Sequence, residues 1–202
     1  VAVIVSDGLW DDGAPAPIKH TERSMLDLLH KRYSPLVGNG GQRYVCAEHV
    51  RCNAGFDARR TADFVAVDLW ESSGHAIHGH EVKVSRSDWL RELKDLTKAG
   101  QFTGQDPFHP DKPPLVTHWW VVVSDRAIVK PGELPETWGL IALSGKGLRA
   151  VKTAPNLSPG RPTSYRTRTA GTIDRSFAVS LMRAVSKIAP TTDDAPATGC
   201  AP

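Results

Sequence analysis

No stretch of this sequence is apolar for long enough to cross a membrane as a helix, which takes about 20 such residues. The opening Val1-Ala-Val-Ile-Val5 is too short for the apolar core of a signal peptide and has no basic leader, so a cytoplasmic protein with no membrane contact is expected. Cysteine is scarce. Cys46, Cys52 and Cys200 form no C-x-x-C pair and no even-numbered framework. That argues against a zinc ribbon or a four-thiolate iron–sulfur site and fits a reducing compartment. One-sided charge is missing as well: 25 basic and 22 acidic residues leave a formal charge of +3, too little to point to nucleic acid by itself. The absence of a Gly-rich phosphate loop counts against a small-molecule phosphohydrolase.

What is present is an ordinary globular mixture, 40% hydrophobic and 23% charged over 202 residues, which suits one well-buried domain. Gly13, Pro15 and Pro17 mark residues 1–19 as a loose arm. A domain is expected over 20–153, then a linker rich in Pro, Ser and Arg over 154–172, a helix over 173–189 and a disordered tail over 190–202.

Within the domain, Thr21 is a plausible N-cap for a helix whose apolar stripe is Met25, Leu28, Leu29 and Tyr33, ended by Pro35. Strands are expected over 43–51, 61–70 and 76–85, the second and third joined by Glu71-Ser-Ser-Gly74. A helix over 88–99, capped by Ser85 or Ser87, would bury Trp89, Leu90, Leu93 and Leu96. A loop over 100–114 precedes a strand over 117–124 that is apolar on both faces, and further strands are expected over 139–143 and 148–152. In the last helix Ile173, Phe177, Leu181, Val185 and Ile188 recur at helical spacing.

Glu81 and Lys83 stand two apart on a predicted strand, so both side chains project from one face. Asp63 opens the preceding strand, and if the two strands pair, Asp63 and Glu81 reach a common point. Two carboxylates with a backbone carbonyl, here that of Val82, make a hard-oxygen site suited to Mg²⁺ or Mn²⁺. Such an ion neutralises phosphate charge and acidifies a water, while a lysine beside it orients that water or helps remove its proton. The triplet alone is common: Glu92-Leu-Lys94 repeats it, but on a predicted helix, where residues two apart diverge.

More distinctive are Arg60-Thr-Ala-Asp63, His80-Glu-Val-Lys-Val-Ser-Arg-Ser-Asp-Trp-Leu90, Arg91-Glu-Leu-Lys-Asp95, Trp119-Trp-Val-Val-Val123 and Glu133-Leu-Pro-Glu-Thr-Trp-Gly-Leu140. Together, over residues 21–152, these resemble MmcB-like DNA repair proteins of the PD-(D/E)XK nuclease superfamily, and similar small phage and bacterial proteins. The resemblance implies an α/β fold of restriction-endonuclease-like type: an αβββαβ core with a mixed central sheet flanked by helices, to which a C-terminal helix is added. It implies Asp63 and Glu81 as metal ligands, Lys83 as catalytic lysine and Glu22 as a first-helix acid facing the metal. The segment 100–114 is where the sequence departs from such relatives.

The expected activity is therefore Mg²⁺-dependent hydrolysis of DNA phosphodiester bonds in repair, recombination or phage DNA metabolism. The alternative is a DNA-binding module of the same fold that cleaves little and acts with a partner. Many such nucleases are homodimers, though no interface pattern is visible here. Ser85, Arg86 and Ser87 at a helix start offer a phosphate grip or plain capping. Lys94 and Lys98, four apart on that helix, are candidates to line a substrate channel, with a solvated face the stronger reading for Lys98, and Arg59 and Arg60 ahead of Asp63 are further candidates for DNA contact. Trp119, Trp120 and Trp138 read as core before base-stacking platforms, with at least one of the tandem pair inside. Arg161, Tyr165, Arg166, Arg168 and Arg175 suit a basic arm. His78 and His80 face away from Glu81, and position 84 is Val, so H-E-x-x-H fails and zinc is not expected.

Overall fold

The computed structural model describes residues 19–34, 36–37, 41–55, 60–158 and 173–187. Helix α1 (Glu22–Tyr33) starts at Thr21, whose hydroxyl accepts from the Ser24 amide while Ser24 Oγ accepts from the Thr21 amide, closing a capping box. Glu22 in its first turn and His30, Lys31 and Arg32 in its last suit the helix dipole. It buries Met25, Leu26, Leu29 and Tyr33; Leu26 takes the fully buried place expected for Leu28, which is partly buried.

Short strands β1 (Leu36–Val37) and β2 (Gly41–Gln42) pair with each other. The main sheet has six strands in the spatial order β3 (Tyr44–Arg51), β4 (Thr61–Asp68), β5 (Ile77–Lys83), β6 (His118–Val123), β7 (Trp138–Ser144) and β8 (Gly147–Lys152). The pairs β3–β4, β4–β5 and β7–β8 are antiparallel, and β5–β6 and β6–β7 are parallel. The protein is thus a mixed α/β fold with a six-stranded mixed sheet flanked by helices. The described element order around the site is one helix, three strands, a helical segment and a fourth strand.

The β5-to-β6 crossover carries two helices, α2 (Arg86–Lys94) and α3 (Thr97–Thr103), where one helix over 88–99 and then a loop were expected. The break has a local cause. Asp95 leaves the helical region, and its carboxylate accepts from the Thr97 amide and hydroxyl, an alternative to continuing the helical ladder. Arg60 Nη2 clamps the same corner, donating to Asp95 Oδ2 at 2.9 Å and to Thr97 Oγ1 at 2.7 Å. The buried face of α2 also differs from expectation: Trp89 and Glu92 are inside, Leu93 is partly buried, and Leu90 and Leu96 are exposed at 41% and 43%. Gly104, in the left-handed region at φ 72°, ends α3.

The core has two layers, one on each face of the sheet. On one face α1 packs over Phe64, Ala66, Val82, Trp120 and Val122. On the other, α2, α3 and α4 (Arg175–Ser186) cover Val65, Trp119, Val121 and Trp138. The tandem tryptophans therefore point to opposite faces, and each ring lies over a glycine of the neighbouring strand. Trp119 is in register with Gly79 and Trp120 with Gly139. A Cβ on Gly79 would meet the Trp119 ring at 2.7 Å. All three tryptophans are core, and each buries on the order of 200 Å², worth about 5 kcal/mol by area. Stacking on bases is therefore not their role. Phe177 anchors α4, edge-on to Phe102 at 6.2 Å. Among the described residues no helix is long and apolar enough to cross a membrane.

Most of the expected arm (1–18), the linker from 159 to 172, Arg59 and the tail beyond 187 lie outside the described residues, as do Arg161, Tyr165, Arg166 and Arg168 of the basic arm.

Candidate active site

Strands β4 and β5 pair from Val67↔Ile77 to Phe64↔His80 and then part. Beyond that point β4 stays on β3 as far as Arg51↔Thr61, and β5 stays on β6 as far as Lys83↔Val123. The sheet is thus split at one end, and Asp63 and Glu81, the next residues in line, stand on the two lips. The Asp63 side chain takes over from the missing ladder: Oδ2 accepts from the Val82 amide at 2.8 Å. A carboxylate here replaces a backbone carbonyl, which leaves its other oxygen, Oδ1, facing the opening.

Glu81 is almost fully buried, and its Oε1 accepts from both Lys83 Nζ and Lys98 Nζ at 2.5 Å. Lys83 also pairs with Glu92 Oε2 at 3.0 Å, and Lys98 lies 3.8 Å from Asp63 Oδ1. Asp63, Glu81 and Glu92 thus face two ammonium groups, one acid in excess. Glu81 Oε2 and Glu92 Oε1 are buried with no hydrogen-bond partner among the described residues. Burial pushes Asp63 up from the usual carboxylate range, and Lys98 and the Val82 amide only partly oppose it. Burial first and the Asp63 charge second raise Glu81; burial and then Glu81 raise Glu92. Burial also disfavours the Lys83 ammonium, but Glu81 and Glu92 outweigh it and its pKa rises. Unpartnered buried carboxylate oxygens in a cluster short of positive charge are a poor apolar core and a good cation site. The donor set therefore fits Mg²⁺ or Mn²⁺.

Of the residues expected from the sequence, Asp63, Glu81 and Lys83 come together around the split, with Val82 between the last two. Glu22 also arrives: its carboxylate, Asp63 and a His49 nitrogen offer ligand atoms within 4.8 Å of one another. The other candidates are otherwise engaged. Ser85 caps α2, accepting from the Asp88 amide at 3.1 Å, and its hydroxyl also meets the Ser87 hydroxyl and the Asp88 carboxylate. Arg86 is held by Glu133 and the Ile128 carbonyl, a pairing that brings Glu133 down to about 2. Arg60 clamps the α2–α3 corner, and Lys94 is exposed on α2. His78 and His80 are on the α1 side, as expected: His80 meets the Tyr33 hydroxyl at 2.9 Å and His78 accepts from Trp120 Nε1 at 3.2 Å. Burial takes His78 down to about 4.

Three residues of the site were not foreseen. Glu92 shares the buried face with Trp89, three residues back, and that spacing was its available signal. Lys98 turns inward because the break at Asp95 reorients α3; on one continuous helix it would have followed Lys94. His49 sits on β3 in the left-handed region, φ 51°, which no sequence pattern announced. It also lines a cleft of about 370 Å³ between β3 and α4, with Arg51, Asn53, Arg183, Ser186 and Lys187.

No protein-family model matches the chain, and no curated protein does. Among solved structures, the SPO1766 protein of unknown function from Silicibacter pomeroyi is similar at 16% identity, over 73% of this chain and 75% of that one, with a TM-score of 0.42. A likeness that distant carries no argument about function.

Proposed function

We propose that the protein is a metal-dependent deoxyribonuclease of the PD-(D/E)XK type, related to MmcB-like proteins and hydrolysing DNA phosphodiester bonds in repair, recombination or phage DNA metabolism. The observation that carries this reading is the split between β4 and β5, which brings Asp63, Glu81 and Lys83 to one partly open, acid-rich point. A divalent cation, Mg²⁺ or Mn²⁺, would supply charge neutralisation at the phosphate and a more acidic attacking water. Asp63 would hold it through Oδ1, with Glu81 and the Val82 carbonyl beside it. Lys83, kept charged by Glu81 and Glu92, would donate to a phosphate oxygen as negative charge builds there. Lys98, now between Asp63 and Glu81, would give up those oxygens to a cation and offer its ammonium to the substrate instead. The basic residues of the β3–α4 cleft give a route for the phosphate backbone.

One observation favours the second reading, a DNA-binding module with little cleavage: Glu81 Oε1 is already satisfied by two ammonium groups. One experiment separates them. Duplex, single-stranded and branched DNA are incubated with the protein in Mg²⁺, Mn²⁺ or EDTA, alongside Lys83→Ala and Glu81→Gln. Metal-dependent cutting by the wild type that both variants lose supports the nuclease. Binding without cutting would sink it in favour of the binding module.

A further inference from the structure

We propose that the cleft between β3 and α4 is a phosphate pocket that seats the terminal phosphomonoester of a DNA strand, so that the strand is cut at a short fixed distance from its end. The proposal rests on the nuclease reading above for the cutting, but the pocket shares no residue with Asp63, Glu81 and Lys83. It goes further than a route for the backbone, because it names a chain end as what is recognised.

Helix α4 meets β3 through Ser180, Arg183 and Ala184, with Lys187 just past its end, all at helical spacings of three and four. Ser180 and Ala184 are buried but small, so helix and strand enclose a hollow of about 370 Å³ instead of closing on it. Arg183 and Lys187 reach this hollow from the helix side and Arg51 from the strand, and among the described residues no carboxylate lines it. The partial negative charge at the end of α4 accounts for a cation at 183 but not for Arg51 across the gap. Like charges around one hollow repel each other, and an anion seated among them removes that cost.

A second observation points to a ligand in the same place. Ser180 is only 7% exposed and lines the hollow, yet its hydroxyl has no hydrogen-bond partner among the described residues. A buried hydroxyl in that state awaits an acceptor. Asn53 Oδ1 accepts from the Gly55 amide at 3.1 Å, which leaves the Asn53 NH₂ to donate. Two guanidinium groups, an ammonium, a hydroxyl and an amide form a set of donors, matched to the acceptor-only oxygens of a phosphate. The larger hollow of about 650 Å³ that shares Asn53 carries Asp106 and Asp174 and lacks this match. The charge selects the kind of phosphate: an end phosphomonoester carries about −1.5 to −2 at neutral pH, whereas each internal phosphodiester carries one negative charge. His49, which lines the hollow, also comes within 4.8 Å of an Asp63 ligand atom, so a strand that starts in the hollow leads its next phosphates to the acids.

The test uses the full chain and one duplex sequence made with 5′-phosphate, 3′-phosphate or hydroxyl ends, with binding read by fluorescence anisotropy in EDTA. The wild type should hold a phosphorylated end at least about tenfold more tightly than hydroxyl ends, the scale of one charge-assisted hydrogen bond. Whichever phosphorylated end is favoured fixes the strand polarity. Arg51→Gln and Arg183→Gln, both at exposed positions and so expected to keep a native circular dichroism spectrum, should bring the two affinities together. Ser180→Ala should narrow the gap, and Lys94→Gln should leave it unchanged. With Mg²⁺ or Mn²⁺ added, the favoured end should give products of one short length. Equal wild-type affinity for phosphate and hydroxyl ends, or a preference that survives in both arginine variants, overturns the pocket. Metal-dependent cutting that ignores the ends would also overturn it while leaving the nuclease reading standing. An end preference in EDTA with no cutting in either metal keeps the pocket as a binding site and sinks the nuclease.

Discussion

Strand β4 carries an aspartate near each end, Asp63 partly buried and Asp68 buried, and the two are treated in opposite ways. Asp68 is completely partnered: Arg43 reaches Oδ2 through Nη2 at 2.7 Å and Nε at 3.1 Å, and the Trp70 amide donates to Oδ1 at 3.0 Å. Arg43 is in turn stacked over Trp70 at 4.6 Å. Burial alone would raise Asp68, but Arg43 and the Trp70 amide more than reverse it, and the carboxyl stays below its usual range. Asp63 has one backbone donor and a lysine at 3.8 Å, and it is raised. At the Asp68 end the strands β4 and β5 are laddered; at the Asp63 end they part. A carboxylate that finishes its own hydrogen bonding is structural. One left short of partners at a break in a sheet is available for chemistry.

The contrast is broken most forcefully at the open end. Lys83→Ala should reduce metal-dependent DNA cleavage by about 10²-fold or more, the scale of losing one positioned proton-transfer or charge-stabilising group. Its circular dichroism should stay native, because Glu81 keeps Lys98. Steady-state cleavage assays with folded protein decide it, and retained activity would remove Lys83 from the machinery.

Stability should respond the other way round. Asp68→Asn is expected to cost roughly 1–3 kcal/mol, since it breaks a satisfied buried pair and leaves Arg43 without its acid. Asp63→Asn should change stability by less than about 0.5 kcal/mol or raise it, because an uncomfortable charge is removed. Urea unfolding midpoints compare the two. Equal losses would show that both aspartates are structural and that the difference between the ends is only geometric.

Acid sharpens the same comparison. The folded-state pKa of Asp68 is depressed, so its contribution is present above its unfolded value and fades as pH falls through the folded one, below about 4. Glu81 is raised, so its ionisation opposes folding at neutral pH and that opposition eases as pH drops toward its folded value. Without metal, stability should therefore hold or rise slightly below neutrality before it falls in stronger acid. Glu81→Gln should lessen the rise, to which Asp63 and Glu92 also contribute, and Asp68→Asn should lessen the fall, each on the order of 1 kcal/mol. Urea midpoints measured from neutral pH into acid check both, and parallel curves for the two variants would erase the distinction between the ends.

Much of this was legible in the sequence, for reasons that differ by residue. The capped first helix, the three antiparallel strands and the doubly apolar β6 follow from period and cap chemistry, which are local. The pairing of Asp63 with Glu81 and Lys83 was legible because two strands joined by a short turn must lie side by side. The orientation of Lys98 was not, since it depends on a helix break held by Arg60 from 37 residues upstream. The role of Glu92 was legible only in its three-residue spacing from Trp89, because the flanking Arg91 and Leu93 do not show which side turns inward. His49 depended on a single backbone dihedral. Arg86 read as part of either a phosphate grip or a helix cap because its partner Glu133 lies 47 residues away in sequence.

The smallest expected effect concerns where DNA would run. Lys94 on α2 and the β3–α4 cleft lie on different elements, and both present exposed cations. Arg51, Arg183 and Lys187 are grouped around one concavity that His49 joins to the acids, whereas Lys94 stands on an open helix surface. A phosphate backbone following the cleft would reach Asp63 past His49. Arg183→Glu should therefore weaken DNA binding and lower the slope of log affinity against log salt by about 0.7–0.9, the value of one lost phosphate contact. Lys94→Glu should do less, and neither should move the urea midpoint, since both side chains are exposed. Fluorescence anisotropy at several salt concentrations gives the slopes. A larger loss at Lys94 would put the backbone along α2 and leave the cleft, and with it α4, outside the DNA path.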